Sequence, residues 1–89
     1  MYLLNDRLKQ KVALQIEQEI AEAWFLKDGV LNHLQRYEEA IQSIERALQL
    51  NPIEACWLEK GILLSRMKRS EEALQCYRKV IEINPQNDD

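Results

Sequence analysis

The chain has 89 residues, 46% of them hydrophobic and 30% charged, with a net charge of −3 and both signs interspersed. That composition describes a folded globular domain and excludes a disordered segment. The slightly acidic balance supplies no basic field to gather nucleic acid. With only two glycines and two prolines there is room for few chain breaks, and a helical protein is expected.

In chain order, the first predicted helix lies within residues 1–20. Leu8, Val12, Ile16 and Ile20 recur every four residues, and Asn5 or Asp6 can serve as N-cap. Nothing between Ile20 and Trp24 breaks a helix, so this segment either runs straight on or turns back as a half-repeat. Continuity is the preferred arrangement. The next helix is expected at about 21–34, with Trp24, Leu31 and Leu34 facing inward. A third, at 37–50, carries Ala40, Ile41, Ile44, Ala47 and Leu48 on one face, the stripe of a helix packed on one side. A fourth is expected at about 54–67, with Trp57, Gly61, Leu64 and Met67 inward. The fifth, at 70–83, repeats the earlier stripe with Ala73, Leu74, Tyr77, Val80 and Ile81. The third and fifth helices open on paired glutamates, as the helix dipole prefers. Both end at Asn-Pro (Asn51-Pro52, Asn84-Pro85), where proline cannot continue a helix. The turns near Gln35-Arg36 and Lys68-Arg69 are short, so the helices they join are antiparallel neighbours.

Residues 21–53 laid over 54–86 agree at ten of 33 positions, among them Trp24/Trp57, Leu31/Leu64, Ala40/Ala73 and Pro52/Pro85. A fixed period of this length is the mark of stacked units, each burying its apolar face on the next. The expected organisation is an N-terminal helix at 1–20, a first repeat at 21–53, a second at 54–87 and a tail at 88–89.

The residues also resemble a family. Ala21-Glu22-Ala23-Trp24-Phe25, Arg36-Tyr37-Glu38-Glu39-Ala40-Ile41 and Ala47-Leu48-Gln49-Leu50-Asn51-Pro52 are similar to a tetratricopeptide repeat. The second copy carries Trp57, Lys60-Gly61, Leu64, Glu71-Glu72-Ala73-Leu74, Tyr77 and Ile83-Asn84-Pro85 at matching offsets. The resemblance implies an all-α fold, with antiparallel helical hairpins stacked as a short right-handed α-solenoid. Two departures stand out. Asp28 occupies the place of the family's small glycine, matched by Gly61, so looser or shifted packing is expected there. The spacing from Pro52 to Pro85 is one residue shorter than the family's usual 34.

The search for chemistry yields no catalytic, metal or cofactor site. His33 is a lone histidine and reads as a solvent-edge residue. Cys56 and Cys76 form no metal-spaced or C-x-x-C pair and read as buried free thiols. The two glycines stand alone, with no phosphate loop, and the glutamate pairs are explained by helix starts. No apolar run spans a membrane, and Met1-Tyr2-Leu3-Leu4 lacks the length of a signal-peptide core. The expectation is a non-enzymatic cytoplasmic protein.

By resemblance, the first helix of each hairpin lines a concave groove that binds an extended peptide or a partner helix. The corresponding positions are Glu22, Phe25, Leu26, Gly29, Asn32 and His33, then Ala55, Leu58, Glu59, Ile62, Ser65 and Arg66. Phe25, Leu58 and Ile62 point to a hydrophobic ligand unless they pack on neighbouring helices. The Lys/Asn/Arg set by which some members clamp a chaperone's C-terminal carboxylate is absent. Two repeats fall below the three or more usually needed for stability. The alternative is therefore a self-association module, or a stretch of a longer array. Leu8, Val12 and Ile16, or Leu74, Tyr77 and Ile81, would then meet a second copy.

Overall fold

The computed structural model describes residues 2–85, with side chains from Asn5 to Pro85. The tail expected at 88–89 and the last two positions of the second repeat lie outside them. Four helices follow in order: α1 (Tyr2–His33), α2 (Tyr37–Leu50), α3 (Glu54–Arg66) and α4 (Ser70–Ile83). Among the described residues there is no strand. At 32 residues α1 is about 48 Å long, and it passes residues 20–21 without a break. α1 pairs with α2, α3 pairs with α4, and α2 packs on α3 to join the two hairpins.

Each hairpin turn uses the same backbone device. Gln35 N–H donates to the Asn32 carbonyl and Arg36 N–H to the Leu31 carbonyl, each at 2.9 Å. Lys68 and Arg69 repeat this against Ser65 and Leu64 at 3.0 and 2.9 Å. This is the double closure of a Schellman motif, which places one residue in the left-handed region. Here Gln35 and Lys68 hold that place, each at φ 62°. The following residue starts the next helix: Arg36 donates through Nε and Nη2 to Glu39, at 2.7 and 2.6 Å. Arg69 does the same to Glu72, at 2.8 and 2.7 Å.

The core gathers Leu31, Ala40, Ile41, Ile44, Ala47, Cys56, Leu63, Leu64, Ala73 and Cys76. The largest share comes from α2, which has neighbours in both hairpins. The inward set expected for α3 omitted Leu63, which is completely hidden. Because α3 touches both α2 and α4, it needs two apolar sides, and Leu63 beside Leu64 supplies the second.

Three other expectations are corrected. Leu34 is exposed, because the chain has already entered the turn there. Trp24 and Trp57, expected to face inward, pack against the core but are only half-buried. Trp24 lies within the first hairpin, beside Leu31 of α1 and Gln42, Ser43 and Arg46 of α2. The ammonium groups of Lys27 and Lys60 sit 5.2 and 5.7 Å from the two ring centroids.

Tyr77, the third correction, is not part of a bare stripe. Its ring lies against Gly61, so close that a Cβ at Gly61 would stand 2.6 Å from a ring carbon. Its hydroxyl is 3.0 Å from Ser65 Oγ. In the first hairpin the corresponding positions are Asp28 and Ile44, both fully buried. A larger residue on α1 is thus matched by a smaller one on α2, the reverse of Gly61 and Tyr77.

Two stability measurements follow. Gln35→Gly and Lys68→Gly remove a Cβ from left-handed backbone and are each expected to add about 1 kcal/mol in urea unfolding. Gly61→Ala pushes the Tyr77 ring outward and is expected to cost about 1–3 kcal/mol. Tyr77→Ile in the same chain should return part of that loss, giving a non-additive double-mutant cycle.

Candidate functional site

The first helices of the two hairpins, α1 and α3, flank an open groove. At its apolar end lies a pocket of about 300 Å³ lined by Ala21, Glu22, Phe25 and Leu26 of α1, Asn51 and Ile53 of the connecting turn, and Ala55 and Cys56 of α3. The space exists because Ala21 and Ala55 are small where the two helices face each other. Pro52 has ended α2 just below, so no third helix fills the gap. Phe25 is half-buried against the core and Leu26 is 70% exposed. One turn further along α3, Leu58 is exposed and Ile62 half-buried.

The other end of the groove is polar. Asn32 Nδ2 donates to Glu59 Oε1 at 3.0 Å, and Arg66 Nη1 donates to Asn32 Oδ1. These bonds tie α1 to α3 through side chains. His33 is exposed, and Gly29 faces open space, since a Cβ there would meet nothing within 4 Å. Ser65 is held by Tyr77.

Of the twelve positions read from sequence, then, Glu22, Phe25, Leu26 and Ala55 share the pocket, and Asn32, Glu59 and Arg66 share the polar network. Leu58, Ile62, Gly29, His33 and Ser65 belong to neither set. Of the positions read for self-association, Leu8, Val12 and Ile16 form one exposed strip. Leu74 and Ile81 are exposed on α4, without Tyr77.

The sequence reading missed the turn residues Asn51 and Ile53, and it named Asp28 only for looser or shifted packing. Asp28 is 1% exposed, and neither carboxylate oxygen has a hydrogen-bond partner. Burial first, then the charge of Glu59 and the hydrogen bond that only a protonated Asp28 can donate to it, push the Asp28 carboxyl up to about 7. The signal for this was present: an acidic residue at the place where the second copy has a glycine. Burial also raises both thiols, Cys56 and Cys76, which are free. That makes them poor nucleophiles.

Among the described residues no group of three His, Cys, Asp or Glu side chains is placed to hold a metal ion. No helix among them is long and apolar enough to cross a membrane.

Two helical hairpins stacked so that their first helices border one groove define a helical-repeat scaffold. The tetratricopeptide repeat model matches residues 21–54 and again residues 55–87. The chain belongs to the tetratricopeptide repeat family. Repeats of this family are protein–protein interaction modules, typically scaffolding rather than catalytic. Compared with curated proteins, the chain matches none.

The buried carboxyl sets a pH dependence. Its folded pKa lies above its unfolded one, so between pH 4 and 7 the folded chain binds the extra proton. Its favourable contribution is complete below the ordinary carboxylate range and is lost as pH rises through about 7. Asp28→Asn keeps the shape and supplies a permanent N–H toward Glu59. Urea unfolding of this variant is expected to lack the loss of stability between pH 4 and 7, leaving it more stable than wild type at pH 8 by a few kcal/mol.

Proposed function

We propose that this chain is a protein-binding adaptor that takes an extended peptide or a partner helix along the groove between α1 and α3. The apolar pocket bounded by Phe25, Leu26, Ile53 and Ala55 carries this reading. At about 300 Å³ it has more than enough room for one large apolar side chain, and it opens to solvent on the face where the family's repeats present their first helices. The ligand has an apolar anchor at the pocket and polar contacts toward Asn32, Glu59 and Arg66. Burying one Leu or Phe side chain of a ligand there contributes about 1.5–3 kcal/mol.

A carboxylate clamp reads poorly against this groove. Asn32 is engaged by both Glu59 and Arg66, and Glu59 sets a negative charge beside them. The two free, buried thiols fit a reducing compartment, and a cytoplasmic location is part of this proposal. The exposed strip of Leu8, Val12 and Ile16 lies further toward the start of α1 than the pocket residues, which begin at Ala21.

The test is a displayed random-peptide library panned on the purified chain. Enriched peptides are expected to share one large apolar residue. Leu58→Glu and Ala55→Glu should each weaken the best peptide at least tenfold while moving the thermal midpoint little. If binding survives both changes, or if either unfolds the chain, the groove reading fails.

A further inference from the structure

Among the described residues, nothing packs over the first half of α1. From Asn5 to Ile20 every side chain is exposed. Yet Leu8, Val12, Ile16 and Ile20 draw one apolar strip along it, between 44% and 53% exposed. Leu8, Lys9, Val12, Ala13 and Ile16 border a shallow concavity on that strip. A bare amphipathic helix gains little stability from propensity alone and much from packing.

The charges beside the strip say what can cover it. In its first half, Arg7, Lys9 and Lys11 less Asp6 give +2; in its second half, Glu17, Glu19 and Glu22 give −3. A parallel copy would set like charge on like. An antiparallel copy sets each basic half on an acidic half, and in the same register brings Leu8 level with Ile20 and Val12 level with Ile16. The spacing of four suits the ridges-into-grooves packing of two identical helices.

We propose that the strip is an interface for a second copy of this chain, the two α1 helices packing antiparallel about a twofold axis level with Leu14. The contact is isologous and closes on itself, so it makes a dimer and not a fibre. Two helices overlapping over about 20 residues touch for about 30 Å. That narrow contact falls short of the roughly 1,200 Å² of a permanent interface. The dimer is therefore reversible, with a Kd on the order of 10 µM.

Sedimentation equilibrium from about 1 to 500 µM reads this directly. The unmodified chain is expected to pass from monomer to dimer, and Val12→Lys with Ile16→Lys to remain a monomer with undiminished helical circular dichroism. Lys9→Glu with Lys11→Glu should weaken the dimer at least tenfold. Adding Glu17→Lys and Glu19→Lys to that chain should restore it.

Orientation is read by a spin label on Asn5→Cys in a chain carrying Cys56→Ala and Cys76→Ala. Antiparallel packing puts the two labels roughly 27 Å apart, and parallel packing roughly 10 Å. A monomer at every concentration overturns the proposal. So does a dimer indifferent to the Val12 and Ile16 changes, including one abolished instead by Leu74→Lys with Ile81→Lys, and so does a label separation of roughly 10 Å.

Discussion

The packing of α2 against both α1 and α3 is the contact on which the rest of this molecule depends. Ala40, Ile44 and Ala47 are completely hidden, and Ile41 and Ser43 nearly so. The alanines let neighbouring backbones come close, while Ile44 fills the space between and contributes about 2–3 kcal/mol of burial. α3 shares this two-sided position, packing on both α2 and α4. α1 and α4 each pack principally on one partner. Their outward faces keep exposed apolar residues for that reason, Leu26 and Val30 on one and Leu74 and Ile81 on the other. Stability is expected to decline from α2 outward, since elements with fewer buried contacts open first.

The groove follows from the same arrangement. With α2 behind them, α1 and α3 meet mainly through side chains, and the character of those side chains changes along the groove. Where Ala21 faces Ala55 there is a cavity. Where Asp28 and Asn32 face Glu59 there is a polar seam continued by Arg66. Ion pairs also cross between hairpins, Lys60 to Glu45 at 3.3 Å and Arg69 to Glu38 at 3.8 Å. Exposed pairs of this kind contribute little energy. They do constrain which face of α3 turns toward α2, and so help to aim the groove.

Most of the fold could be read from the sequence because its punctuation is local. The two Asn-Pro pairs end α2 and α4 at Leu50 and Ile83, and the paired glutamates mark where those helices begin. The stripe of Ala40, Ile41, Ile44 and Ala47 is buried as its periodicity required. What escaped was decided by partners that periodicity does not name. A spacing of three and four tells that Tyr77 and Leu74 share a face, but not that the Tyr77 ring turns onto Gly61. Leu63 was missed because one helix period reports one buried side, and α3 has two. The turns near Gln35 and Lys68 were placed by the helices on either side, but their left-handed backbone was not foreseen, since neither carries glycine. The groove was legible only through resemblance, and its pocket depends on Ile53, a turn residue with no periodic mark.

The exchange of sizes between the two hairpins bears on how such a chain can change over time. Gly61 is matched to Tyr77 inside one hairpin, and Asp28 to Ile44 in the corresponding places of the other. The Gly61 and Tyr77 pair is closed within its own unit, while Asp28 also faces Glu59 of the other hairpin, so Glu59 is the neighbour that must be kept when the first hairpin drifts. A recombination event at Asn51–Ile53 keeps both pairs whole. One inside a hairpin turn, at Gln35 or Lys68, would join an Asp28-type first helix to a Tyr77-type second helix and put a carboxyl and a ring in the same volume. The unit that can be duplicated, lost or shuffled is therefore the hairpin and not the helix.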